Sequence, residues 1–254
     1  MKYKRYIPLL VPILVWLLSQ SFSGEPEFFY SALALSVLII TLGVKYLFQK
    51  HQVFWLPFIA PPLLFFISFS AYAAIIVGSF WIQLTRLLTV WFLFSYLRGI
   101  YYFFSAAEEE RQKWRTKIDN LLLSGGFLMA FSSTAFLFDL PAFLNWPLYY
   151  LLLSAILMMS LLLWQFRLLP KEGAIKSPWL LWLGVLVLTE LVGIFSLLPL
   201  NFNILALFLA IFYYLVLVII RLFENGALNR RAIKLPLIMA AIIILALLLT
   251  SRWL

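Results

Sequence analysis

PWLLWLGVLVLTELVGIFSLLP, residues Pro178 to Pro199, is the stretch on which the fold turns. As a helix it rises about 30 Å, the thickness of a bilayer's hydrocarbon core. One charge interrupts it, Glu190, close to the middle. A charged side chain at that depth costs roughly 2.5–3.5 kcal/mol on insertion scales, so Glu190 is expected to face protein and to have a partner.

The remainder of the chain has the same character. Of 254 residues, 65% are hydrophobic and 11% charged, against about half and a quarter in soluble domains. No single aqueous core buries that much apolar surface, so the expected solvent is lipid. The expected class is all-α, a polytopic helical bundle forming one transmembrane domain over residues 1–254 with no soluble domain. Nine spans are legible, at about 6–22, 28–47, 54–77, 80–104, 121–138, 146–166, 179–198, 204–223 and 235–250,. Pro57, Pro61 and Pro62 imply a kinked or irregular start to the third span,. Gly78 and Ser79 imply a tight turn after it, and Asp139 with Pro141 an end to the fifth,. The basic start of the first span resembles a signal peptide, but with so many spans following, an uncleaved helix is the plainer expectation.

Charge placement gives an orientation. The net charge of +9 would imply nucleic acid in a soluble protein, but the basic residues sit in the gaps between apolar runs. With the N-terminus cytoplasmic, seventeen of the nineteen Lys and Arg fall on the inner side, while Glu25, Glu27 and Asp139 fall outside. The positive-inside rule accounts for this without nucleic acid, with the C-terminus outside and a bacterial cytoplasmic membrane the expected location. Tryptophans at 55, 81, 146, 179 and 253 fall where interfacial anchors belong,.

Chemistry is sparse. There is no cysteine, which excludes disulfides and thiolate sites, and His51 is the one histidine, which excludes multi-histidine metal centres; no cofactor is implied,. The Glu-Glu run at 108–110 is similar to the acidic motif of intramembrane CAAX-type proteases. That family's arginine is missing, however: Lys113 and Trp114 hold the relevant positions, and His51 stands alone. A lone Asp139 makes no aspartyl dyad.

Depth singles out the remaining candidates. Glu190 lies about eight residues from the outer end of its span and Arg86 about six from the outer end of its own, a few ångströms apart in height,. Opposite charges so placed are buried most cheaply facing one another. The expectation is a Glu190–Arg86 pair, with Gln83 one turn from the arginine and Thr189 beside the acid, serving as a substrate or ion site or as a structural pair,. The polar stretch Glu108 to Lys117 is expected to prolong the fourth helix, with Glu109, Lys113 and Trp114 able to dock a partner or anionic lipid,. Small residues at Gly126, Ala130 and Thr134, and at Ser70, Ala74 and Gly78, mark faces for close helix approach,.

Three function classes follow. The first is a small permease or the membrane subunit of a transporter, built on the Glu190/Arg86 centre. The second is a non-catalytic accessory subunit among other membrane subunits. The third, a lipid-modifying enzyme, lacks clustered polar residues at an interface.

Overall fold

The computed structural model describes residues 2–21, 27–48, 56–144, 146–165 and 178–250. Among these, the expected all-helical class holds: there are nine α-helices and no strand. A 3-10 turn, Lys2–Tyr6, leads into α1 (Ile7–Ser21). Then come α2 (Glu27–Phe48), α3 (Leu56–Ile75), α4 (Ser79–Ser105), α5 (Glu108–Leu144), α6 (Leu148–Trp164), α7 (Pro178–Phe195), α8 (Phe202–Glu224) and α9 (Arg230–Thr250). Seven are long and apolar enough to cross a bilayer; α1 and α6, at 15 and 17 residues, are shorter. The chain is a multi-pass membrane protein. Lipid solvates no backbone group, so helices that satisfy their own N–H and C=O groups are the form these runs must take.

Two helix ends depart from the sequence reading. The polar stretch Glu108 to Lys117 does not prolong α4. Ala106 is extended at φ −78°, ψ 153°, and its N–H closes α4 on the Tyr102 carbonyl at 2.9 Å. Ala107 then opens a new helix by accepting from Arg111 N–H at 3.1 Å. Glu108, Glu109 and Glu110 fill the first turn of α5, where carboxylates suit the positive end of the helix dipole,. At its other end α5 runs past Asp139 and through Pro141 to Leu144. Pro141 lacks the N–H that would reach the carbonyl four residues back, a loss that membrane helices tolerate by re-satisfying the freed group,.

Contacts divide the chain into two compact units, Met1–Gly125 and Gly126–Leu254, with the boundary inside α5. In the first unit α1 packs on α2 and α4, and α3 on α2 and α4. Apolar side chains gain little by leaving lipid for protein, so close packing has to hold these helices together. Gly43 shows how close: a Cβ there would lie 2.6 Å from Val11 Cγ2. The interior is aromatic. Phe65 stacks on Phe92 at 3.9 Å and on Phe69 at 4.4 Å, and the buried Tyr96 hydroxyl donates to the Phe58 carbonyl at 3.1 Å. The turn from α3 to α4 passes through Gly78 at φ 107°, a conformation side chains resist, as the Gly-Ser pair implies,.

The second unit is a succession of neighbours, α6 on α7, α7 on α8 and α8 on α9. Gly184 of α7 sits against Val216 of α8 and Leu163 of α6, 2.9 and 3.2 Å from where a Cβ would stand. Tyr213 of α8 is fully buried and donates to the Leu162 carbonyl at 3.1 Å. Gly126, Ala130 and Thr134 form a buried stripe on α5, as their spacing implies. Asn201 and Asn229 open α8 and α9 by accepting from the N–H groups of Asn203 and Ala232,. Only Ala240 of α9 is buried.

Candidate functional site

A group of polar residues of the first unit lies at the meeting of α1, α3 and α4. On α4, Gln83, Arg86 and Thr89 recur every three residues and so share a face; on α1, Ser19 and Gln20 follow Trp16 by three and four residues and share its face,. α1 packs on α4, and the two faces meet. Arg86 is buried, and its Nη1 donates to Gln20 Oε1 at 2.7 Å. The Gln20 and Gln83 amides exchange hydrogen bonds, each at 3.2 Å. Gln20 Oε1 therefore accepts from both α4 side chains, which uses both of its lone pairs and fixes the height of the guanidinium.

Beside this network lies a partly open cavity of about 330 Å³, mouth included. Its closed part has room for little more than one water-sized group,. Trp16 and Ser19 line it from α1, Phe66, Phe69 and Ser70 from α3, and Thr85, Arg86 and Thr89 from α4. The hydroxyls of Ser19, Thr85 and Thr89 each donate to a carbonyl of their own helix, at 2.7, 2.7 and 2.9 Å. Those hydrogens are spent, so these groups offer lone pairs only. The Trp16 indole N–H is buried with no acceptor. Among the described lining residues Arg86 is the one charge; there is no carboxylate, histidine or lysine. The arrangement can hold a fixed positive charge in a half-dry setting, and it offers no acid–base pair for catalysis.

Glu190 stands elsewhere. α7 buries Gly184, Val185, Leu188, Val192 and Phe195 along one stripe. Glu190 is exposed on the opposite face of its unit, in line with the exposed Leu183, Val187 and Ile194. Thr189, half-buried, donates to the Val185 carbonyl of its own helix at 2.8 Å. Within the second unit the acid does not turn toward the helices it packs with, contrary to the inward orientation its cost implied. Arg86 belongs to the first unit and Glu190 to the second, so their pairing is an expectation and not an observed contact.

Gln83 and Arg86 are thus brought together as their spacing predicts, but around Gln20, which the sequence reading passed over. That reading matched charges by depth and did not extend to amides. Gln20 lies at the C-terminal end of α1 and Gln83 near the N-terminal end of α4, ends that the expected topology sets on one side of the bilayer, so a depth match of all polar residues would have found it. At the other end of α4, Glu109 and Lys113 are exposed. Trp114 is half-buried, stacked on Tyr102 at 4.5 Å with Lys117 Nζ 4.1 Å from its ring centre. It ties α5 back to α4. His51, Glu25, Trp55, Trp253 and the link Arg167 to Lys176 lie outside the described residues.

No protein-family model, no curated protein and no solved structure matches this chain.

Proposed function

We propose that the chain is a small permease, or the membrane subunit of a larger transporter, working through the polar centre at Arg86, with Gln83 beside it and Glu190 and Thr189 as a second polar position. The observation that supports this is a buried arginine lining a partly open cavity between apolar helices. Charges inside membrane spans are costly and mark substrate, ion and proton pathways. The location that goes with this reading is a bacterial cytoplasmic membrane, N-terminus inside, following the distribution of Lys and Arg.

The chain has no cysteine, which supplies the test. Ser70→Cys and Thr89→Cys are made singly, and sealed vesicles of both orientations are treated with a membrane-impermeant thiol reagent. A transport pathway is reached from both faces, and a site reached from one face only refutes it. Glu190→Gln abolishes coupling in an ion- or proton-driven transporter.

A second reading, an accessory subunit of a membrane complex, draws on the exposed face of α7. A carboxylate there, amid Leu183, Val187 and Ile194, is best satisfied by a donor from another membrane segment,. On this reading Glu190→Gln leaves function intact, and the protein co-purifies with partners in mild detergent.

A further inference from the structure

We infer that the inner end of the α4–α5 hairpin binds the headgroup of an anionic phospholipid, with Arg98 and Lys117 supplying the charge. Lipid binding there asks nothing of the Arg86 centre and is independent of the transport reading.

Helix register sets the two cations at one height. Tyr102 stacks on Trp114 at 4.5 Å, Gly99 sits against Ile118, and Gly125 sits against Phe92. As the α4 position falls the α5 partner rises, so the two helices run antiparallel. On that register Lys117 stands opposite residue 100, within about one turn, or 5 Å, of the height of Arg98. Depth follows from the turn at Gly78. Arg98 lies twenty residues beyond it, a rise of about 30 Å, which is the thickness of a bilayer's hydrocarbon core,. Arg98 and Lys117 therefore stand where acyl chains give way to headgroups, and Tyr101, Tyr102 and Trp114 form the aromatic belt that belongs at that level.

Both cations are held but not neutralised. The exposed Arg98 guanidinium lies 5.7 Å from the ring centres of Phe94 and Tyr102, and Lys117 Nζ lies 4.1 Å from that of Trp114. A ring face attracts a cation without cancelling its charge. Among the described residues neither cation has a carboxylate partner. Glu108, Glu109 and Glu110 are seven or more residues from Lys117, about 10 Å back along α5, and Asp119 makes its interaction elsewhere,. The exposed Glu109 and Lys113, an acid and a base one turn apart, offer no such excess of charge.

Depth also selects the occupant. A soluble acidic partner would have to pass the last seven residues of α4, about 10 Å, to reach Arg98,. A phospholipid arrives in the plane of the bilayer, with its phosphate already at that height and its acyl chains below, beside Phe94. Phosphatidylcholine brings its own cation next to the phosphate. Phosphatidylglycerol does not, so two unpaired cations favour it.

Purified full-length protein in a non-ionic detergent is titrated with phosphatidylglycerol or phosphatidylcholine, and bound lipid is read by native mass spectrometry. The first phosphatidylglycerol is expected to bind at least about fivefold more tightly to the wild type than to the Arg98→Gln/Lys117→Gln double variant. Arg230→Gln/Arg231→Gln, which removes the same charge from the exposed start of α9, should keep wild-type affinity. Equal affinity for the two lipids, or equal losses in the two double variants, overturns the proposal. A second measurement needs no variant and so survives a failure to fold. Wild-type protein is treated with an amine-reactive ester, and modification is followed at Lys117 and at the exposed Lys234. Phosphatidylglycerol should protect Lys117 and spare Lys234, with phosphatidylcholine and inorganic phosphate without effect. Equal protection of the two lysines, or protection by inorganic phosphate as good as by the lipid, sinks the idea.

Discussion

Replacing Gln20 by alanine removes the oxygen that joins α1 to both Gln83 and Arg86 of α4. Three hydrogen bonds are lost, one from Arg86 and two in the exchange with Gln83, and they differ in kind. The bond from Arg86 is short, 2.7 Å, and charge-assisted; such bonds contribute about 1.5–3 kcal/mol. The amide exchange with Gln83 runs at 3.2 Å at an exposed position, and neutral side-chain bonds between membrane helices average about 0.6 kcal/mol,. Leaving a buried guanidinium short of an acceptor adds to the first loss, not the second. Gln20→Ala is therefore expected to cost about 2–3 kcal/mol, and Gln83→Ala about 0.5 kcal/mol. Gln20→Glu, which sets a carboxylate against the guanidinium, should recover most of the loss. The assay is reversible unfolding of the purified protein by sodium dodecyl sulfate in mixed micelles, followed by tryptophan fluorescence. Losses of similar size for Gln20→Ala and Gln83→Ala, or a Gln20→Ala loss below about 0.5 kcal/mol, would refute the assignment of Gln20 as the anchor of Arg86.

Tyr213→Phe deletes a buried hydroxyl bonded to the Leu162 carbonyl at 3.1 Å and should cost about 0.5–1.5 kcal/mol in the same assay,. Gly125→Ala sets a methyl group against the Phe92 ring, which must leave its 3.9 Å stack on Phe65; the expected loss, about 1–3 kcal/mol, should be relieved by Phe92→Leu in the double variant,. Orientation is checked by single cysteines. Ser79→Cys should react with an impermeant reagent only from outside intact cells, and Ala107→Cys only after the cytoplasmic face is opened; the reverse pattern refutes the charge-based topology.

The membrane helices were legible because lipid leaves the backbone few alternatives, so apolar length alone implies helices. What composition could not place was the break at Ala106 and Ala107, because the residues on both sides are good helix formers. It becomes visible only through the extended Ala106 and the three glutamates that suit a helix start,. The end of the fifth span was misplaced for the opposite reason: Pro141 reads as a stop, yet α5 tolerates it. At the candidate site, Arg86 and Gln83 were legible from depth and helical spacing. Gln20 was not, because its role depends on α1 packing against α4, a contact between segments far apart in sequence. Glu190 stood out by its cost, but the face it occupies is set by which side of α7 meets α6 and α8, a choice that an evenly apolar helix does not reveal.

The pairing of α1 with α4 also has a consequence in time. From α7 on, the helices of the second unit each pack on the one just made, whereas Gln20 meets an arginine 66 residues downstream. At typical rates of synthesis, about 5–20 residues per second, that is a wait of roughly 3–13 s. During it the first helix holds its Gln20 amide without the α4 side chains it bonds, with α2 and α3 the neighbours already made. The polar contacts between α1 and α4 therefore close late, when the fourth helix arrives. A ribosome stalled before residue 86 would leave α1 unclasped and exposed to the machinery that inspects unassembled membrane segments.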